Sequence, residues 1–395
     1  MVTAPPGPVR VLVLDHTARP SGAELALLRL CEALGPDVSV RCVLFADGPL
    51  VGRLRTLGVP TRVLPLDRRV GGASRTALAR PALGHLRSAF ALVRFQRDLL
   101  RLIRVTGPDV VHTTSLKADL LALLPAVLAR RPLVWHIHDR IASDYLPRAL
   151  VRLVRVAALV PAALVANSRA TASTLGRSAV VAYPGLAPGQ VRPGRRTPPS
   201  GPPVVGLLGR ISPTKGQLEL VRAVPFVLRR HPGTTFRMVG APTFGEHEYE
   251  AVVRAEAERL GVAPSITWVG AVTDPSDELD RLAVLVHASP VPEPFGQVVV
   301  EGMARGVPVV ATDAGGVPEI VGRGAQALGE LVAPGDVRAL GEAIVAVLDD
   351  PVGSAERAER ARVTVAERFT ARRTAQTVTA VWWDVTRRSR RAPRP

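Results

Sequence analysis

Between Pro184 and Pro203, seven of twenty residues are proline and four are glycine. Proline cannot donate to a helix or a sheet ladder, so no regular element runs through this stretch. The chain must therefore build a core on each side of an exposed linker. On both sides the same pattern recurs: a short apolar run, a polar junction, then an apolar-periodic helical stretch. Strands are predicted at residues 10–15, 38–45, 62–66, 110–112, 133–136, 164–166 and 179–181, then at 204–208, 235–239, 266–269, 284–288, 307–311 and 328–332. Helices are predicted at 25–34, 50–57, 217–229, 248–260, 277–282, 297–305 and 338–348. A last helix over 355–388 is expected to break near Phe369-Thr370. Continuously apolar strands alternating with helices imply parallel sheets covered on both faces, an α/β architecture. The expected division is a first domain over 1–186, a linker over 187–203, a second domain over 204–369, a terminal helix over 370–388 and a basic tail over 389–395.

Charge is distributed unevenly. The formal net charge is +17, and residues 1–186 carry 25 basic and 11 acidic side chains, a net of +14. Nine arginines and one aspartate lie between Arg68 and Arg104, and a second apolar-basic stretch runs from Arg148 to Arg155. Such a surface suits an anionic membrane face or an anionic ligand, with a solvated arginine-rich surface as the alternative. Nucleic acid is not the expected partner. Only Cys31 and Cys42 are present, which excludes a disulfide framework and a cysteine zinc cluster. Residues Met1 to Pro8 lack a basic region followed by an apolar one, so a secretory signal is not expected, and the apolar stretches are shorter than a membrane span. These features favour a cytoplasmic, reducing location, peripheral to the membrane if the basic face binds it.

Several chemistries are absent from the pattern. No G-x-G-x-x-G follows the first strand, Lys215-Gly216 reverses the P-loop order, and no Asp-x-Asp, His-Glu-x-x-His or Gly-x-Ser-x-Gly occurs. The informative residues sit at strand-to-helix junctions, where open parallel sheets bind ligands and helix N-termini offer free N–H groups. Gly209-Arg-Ile-Ser-Pro-Thr-Lys-Gly216 is one such junction, and Arg210 and Lys215 there can neutralise a diphosphate, or else are two solvated cations of a surface loop. Ser289 to Gly296 is the second: Glu293, between Pro292 and Pro294, and Glu301 in the following helix can accept bonds from ligand hydroxyls while the Phe295 and Gly296 amides hold an anion. The alternative makes both glutamates surface charges. Gly315-Gly316-Val-Pro-Glu319 is a third junction. In the first domain Gly22 opens the first crossover, and Trp135-His-Ile-His-Asp139 ends a strand. His136 and His138 share one side by strand alternation, so one is expected packed and satisfied while the other lines a site.

These motifs, in this order, resemble the family 4 glycosyltransferases, retaining enzymes of the GT-B fold. The resemblance rests on Ser21-Gly-Ala-Glu24, His138-Asp139, Asn167-Ser168 and the Gly209 to Gly216 junction. It rests most on Pro292-Glu-Pro-Phe-Gly296 with Glu293 and Glu301 eight residues apart, followed by Gly306-Val-Pro-Val-Val and Gly315-Gly-Val-Pro-Glu319. It implies two Rossmann-like domains facing across a cleft, the second binding a UDP- or GDP-sugar and the first an acceptor that the sequence does not identify. Residue by residue it implies that Gly209, Arg210 and Lys215 hold the diphosphate, that Glu301 bonds the ribose, and that Glu293 with the Phe295 and Gly296 backbone positions the sugar. Gly22 approaches the phosphates, His138 contacts the sugar near the reaction centre, and the base sits near Gly270. No cofactor and no metal are implied, and the last helix crosses back onto the first domain. The first loop departs from the family pattern by carrying Ser21 where many relatives have glycine. A nucleotide-sugar epimerase of the same fold, or a non-catalytic glycan-binding module, would share these motifs.

Overall fold

The computed structural model describes residues 7–67, 82–243 and 245–391. Its contacts divide the chain into two units, one holding the residues up to Gly185 together with those from Ala371 on, the other Leu186–Thr370. The basic run starting at Arg68 lies outside the described residues as far as residue 81.

The first unit is built on β1 (Val9–Asp15), β2 (Val38–Leu44), β3 (Thr61–Val63), β4 (Val110–Thr113), β5 (Leu133–Ile137), β6 (Ala163–Ala166) and β7 (Val180–Val181). They form one sheet of order β3-β2-β1-β4-β5-β6-β7, every pair parallel. Both faces are covered, and the two-residue period of a strand divides β1 between them. Leu12 and Leu14 join the core under helices Ala82–Thr106, Leu116–Leu128 and Arg148–Ala157. Val9, Val11 and Val13 join the core under helices Gly22–Glu32, Pro49–Thr56 and Ala371–Arg391. That alternation is why these strands read as unbroken apolar runs. The terminal helix belongs to this second layer through Val378, Trp382 and Val385. Its Thr374 hydroxyl donates to the Tyr183 carbonyl at 2.6 Å and accepts from the Gly185 N–H at 3.0 Å.

The second unit holds β8 (Val204–Leu208), β9 (Thr235–Val239), β10 (Ile266–Gly270), β11 (Val284–His287), β12 (Val309–Thr312) and β13 (Glu330–Val332). The order is β10-β9-β8-β11-β12-β13, again all parallel. Sequence order reverses between β8 and β11, which makes the carboxyl edge of that strand pair the switch point where such sheets open a crevice. Gly206 is needed in β8, because a Cβ there would lie 2.5 Å from the Leu282 side chain.

Two expectations change: β3 stops at Val63 and β7 has only two residues. The C-terminal helix breaks at Phe369-Thr370 as expected, into Pro351–Arg368 and Ala371–Arg391. The first of these begins before residue 355 because the Asp350 carboxylate caps it, accepting from the Gly353 N–H at 2.9 Å. The proline-rich segment is not simply exposed. Arg196 is buried and donates to the carbonyls of Asp280 and Leu282, the Arg192 N–H donates to the Ala304 carbonyl at 3.0 Å, and the Arg192 guanidinium pairs with Asp280 at 3.1 Å. Proline bars the backbone from a ladder, but it leaves neighbouring side chains free to satisfy orphan carbonyls at the end of the helix Ser276–Arg281.

Candidate active site

In the second unit the junctions after β8, β11 and β12 come together at the switch point. Lys215 Nζ lies 2.6 Å from Glu293 Oε1, and His287 Nε2 lies 3.0 Å from Glu293 Oε2. Burial by itself would raise the Glu293 carboxyl, but Lys215 and the His287 bond outweigh it and hold the group well below the usual carboxylate range. Glu293 is thus an ionised, nearly buried acceptor whose two oxygens are held by donors from two elements, the loop after β8 and the end of β11. The loop carrying it is fixed at the backbone as well. The Gly316 N–H donates to the Glu293 carbonyl at 2.9 Å, and a Cβ at Gly315, where φ is +65°, would lie 1.9 Å from the same oxygen.

Two helices present their N-termini here. Gly216 caps Gln217–Arg230 with φ +83°, and a side chain there would meet the Ala288 carbonyl at 2.1 Å. Gly296 caps Gln297–Ala304 with φ +105°. Both positions combine left-handed backbone with close approach, which only glycine permits. Phe295 buries its ring beside Phe369, with centroids 5.8 Å apart, so only its backbone is available to a ligand. Arg210 Nε is 3.4 Å from Glu246 Oε2, while Glu246 Oε1 accepts from Ser212 Oγ at 3.0 Å. Glu301 accepts from Gln297 Nε2 at 3.0 Å. Gly209 has φ +151°, and Gly270 accepts from the Gly240 N–H at 2.8 Å. The second-unit residues singled out from sequence therefore lie on the loops and first turns at one edge of this sheet, with Lys215 and Glu293 in direct contact. Sequence reasoning missed His287, Glu246 and Ser289, whose hydroxyl donates to the Thr214 carbonyl at 2.7 Å. The signal for His287 was a lone polar residue ending the apolar run Val284-Leu-Val-His287.

The first unit carries a second polar set at its own switch point, between β1 and β4. Asp15 Oδ2 accepts from Thr114 Oγ1 at 2.6 Å, and His16 Nδ1 is 2.7 Å from Ser115 Oγ. Gly22 is the first residue of the helix Gly22–Glu32, and Ser21 caps it. Ser21 has φ −138°, which any residue adopts, and its N–H donates to the Glu24 carboxylate at 3.0 Å, so serine in place of glycine carries no backbone strain. Burial and the neighbouring Asp15 raise the Glu24 carboxyl. His138 follows β5, and its carbonyl accepts from Asn167 Nδ2 at 3.1 Å. Burial pushes its ring down to about 4, against the opposing pull of Asp139 and Asp15, so it is neutral at physiological pH. His136 and His138 stack with centroids 4.4 Å apart, on one side as expected. His136 is packed but not satisfied: neither ring nitrogen finds a partner among the described residues. Its neighbour His112 accepts from Trp382 Nε1 at 3.2 Å.

Comparison with known proteins agrees with both units. Residues 21–186 match the family described as glycosyl transferase 4-like domain, and residues 193–364 match glycosyl transferases group 1. A glycogen synthase of Mycobacterium tuberculosis is 33% identical over 205 residues, 51% of this chain and 47% of that protein. The chain thus spans about half the length of that relative, or less in the case of the inositol 3-phosphate glycosyltransferase of Nocardia farcinica, where 32% is covered. The D-inositol 3-phosphate glycosyltransferase of Kribbella flavida is 30% identical over 322 residues, covering 74% of this chain and 75% of that one. Among solved structures, Anabaena Alr3699/HepE in complex with UDP and glucose superposes with a TM-score of 0.81 at 27% identity, over 94% of this chain and 99% of that one. With two parallel-sheet units, matches to both halves in order and a relative matched over most of its length, the chain belongs to the group 1, family 4 glycosyltransferases of the GT-B fold.

Proposed function

We propose that this protein transfers a sugar from a UDP- or GDP-sugar to an acceptor hydroxyl with retention of anomeric configuration, without a metal or cofactor. The observation that carries the reading is the Lys215–Glu293–His287 contact at the switch point of the second sheet, flanked by two glycine-capped helix N-termini. Lys215 and Arg210, with the Gly209 backbone, take the diphosphate, and the Gly296 N-terminus adds N–H donors. Glu293, already ionised and fixed, accepts sugar hydroxyls with the Phe295 and Gly296 backbone beside it, and Glu301 accepts from the ribose. The base lies near Gly270. Gly22 approaches the phosphates, and the neutral His138 donates to or accepts from the sugar without adding charge.

In the reaction the acceptor oxygen bonds to the anomeric carbon on the face from which the diphosphate oxygen departs. The bond to that oxygen breaks, and the phosphate takes the acceptor proton. Cations preorganised around a leaving group stabilise charge that develops only in the transition state; one well-placed donor is worth about 3 to 4 kcal/mol in comparable cases. The neighbour bound to UDP and glucose supports a uridine donor. Calorimetric titration with UDP- and GDP-sugars, followed by product analysis for anomeric configuration by NMR, tests the reading. Binding of neither class, or a product of inverted configuration, refutes it.

A further inference from the structure

The three helices covering one face of the first sheet, Ala82–Thr106, Leu116–Leu128 and Arg148–Ala157, pack on a common core and lie side by side. Two bonds tie the first helix to the second, Gln96 Nε2 to the Leu121 carbonyl at 3.0 Å and Arg104 Nη2 to the Leu128 carbonyl at 3.2 Å. What they turn outward is unusual for a soluble surface. Of the sixteen large apolar side chains that stand exposed among the described residues, ten belong to these helices and the short segment after the third. On the first helix, Phe90 and Val93 share one stripe with Arg94, Arg97, Arg101 and Arg104, since spacings of three, four, seven and eleven residues return to the same side. Phe90 is 73% exposed. The second helix adds Leu124, Val127 and Leu128, and the third adds Val156, four residues after Arg152 and eight after Arg148 on one stripe, with Leu153 beside it and Leu159 just beyond, 68% exposed.

The exposed charge on this layer is mostly positive. Among the described residues, Asp98 is the only carboxylate paired with its exposed arginines, 3.8 Å from Arg94 and 3.5 Å from Arg97. Arg101, Arg148 and Arg152 have no acidic partner among the described residues. A patch meant only for solvent would not gather its apolar side chains in one place. A helical layer that interleaves leucine, valine and phenylalanine with arginine matches the boundary of an anionic bilayer, where guanidinium groups meet phosphate and apolar side chains enter the acyl region. At 1.5 Å per residue the longest helix offers a strip about 37 Å long, enough for many headgroups. No helix among the described residues is long and apolar enough to cross a membrane, so the contact is interfacial.

We propose that this three-helix layer docks reversibly on anionic phospholipid, an inference independent of the donor chemistry proposed above. The test is sedimentation with phosphatidylcholine vesicles, with and without phosphatidylglycerol, at low and high salt. The full-length protein is expected to pellet only with the anionic vesicles, and to be released as the Debye length falls from about 10 Å at 0.1 M to about 3 Å at 1 M. The triple variant Arg97→Gln, Arg101→Gln, Arg152→Gln should weaken partitioning at least about tenfold. The triple variant Leu153→Ser, Val156→Ser, Leu159→Ser should weaken it at low salt too, where charge is intact. A control with the same charge change on the opposite layer, Arg53→Gln, Arg55→Gln, Arg372→Gln, should bind like the unaltered protein. All substituted side chains are exposed, and thermal melts and nucleotide titrations are expected to stay unchanged. The proposal is overturned if the protein stays in the supernatant with anionic vesicles at low salt, or if the opposite-layer control loses as much binding. A dimer in sedimentation velocity that the apolar triple dissociates, without vesicle binding, would assign the layer to a second copy of the chain instead.

Discussion

Replacing Glu293 by glutamine keeps the shape of the side chain and removes its charge. The carboxylate accepts from Lys215 at 2.6 Å and His287 at 3.0 Å, with 13% of the Glu293 side chain and 30% of the Lys215 side chain exposed. Bonds to a charged group contribute about 1.5 to 3 kcal/mol each. Glutamine retains one acceptor oxygen, and partial exposure of Lys215 lets water take over part of its share. A net loss of about 2 kcal/mol at pH 7 is expected, which in a unit of this size lowers the melting temperature by about 4 to 8 °C. The pH dependence gives a sharper check. The folded-state carboxyl lies below its unfolded value, so its contribution is fully present above the unfolded value near 4.3 and is lost as pH falls toward the folded one. The stability difference between the unaltered protein and Glu293→Gln should therefore be constant from pH 7 to 5 and shrink by up to about 1.4 kcal/mol per unit below about 4.3. Urea melts of both proteins at a series of pH values from 7 to 3 measure it, and other acid-sensitive groups cancel in the difference. A gap that stays constant down to pH 3 would refute the ionised, doubly held carboxylate.

Lys215→Ala should reduce sugar transfer by at least about a hundredfold, in line with the loss of one transition-state donor, and should also lower the melt, because the nearly buried Glu293 carboxylate is left with His287 as its one side-chain partner among the described residues; equal initial rates at limiting and saturating donor would remove Lys215 from the site. Gly216→Ala should cost more than Gly261→Ala, because both sit at positive φ but only the former would drive a Cβ to 2.1 Å from a carbonyl oxygen. The backbone penalty common to both is about 1 to 2 kcal/mol, and equal melts for the two variants would contradict the close approach. His138 is held at about 4, below the unfolded value near 6.5, so the folded state binds fewer protons and stability falls as pH drops from about 6.5 toward 4. His138→Asn should flatten that part of the profile, and parallel acid profiles for the two proteins would show the ring to be ordinary.

Much of the architecture was legible before any coordinates. Strands buried on both faces must be apolar along their whole length, so Val204 to Leu208 or Val284 to His287 announce themselves without any knowledge of their neighbours. Left-handed glycines at helix starts are likewise a local requirement, visible as Gly216 and Gly296 at the ends of polar junctions. The residue types of the site were readable for the same reason, since each sits in a short motif next to its own strand. Partnership was not. Periodicity reports which side of a residue is buried and says nothing of which strand lies alongside, so the adjacency of β8 and β11, and with it the contact between Lys215 and Glu293 across 78 residues, belongs to the tertiary structure alone. The same holds for His287, whose motif is a strand end like any other until Glu293 folds back onto it, and for Arg196, whose proline-rich surroundings read as solvent-facing although its guanidinium finds two buried carbonyls more than eighty residues away. Local sequence determined which segments could be strands, helices and anion-holding turns; only the long-range packing of those segments decided which charges meet.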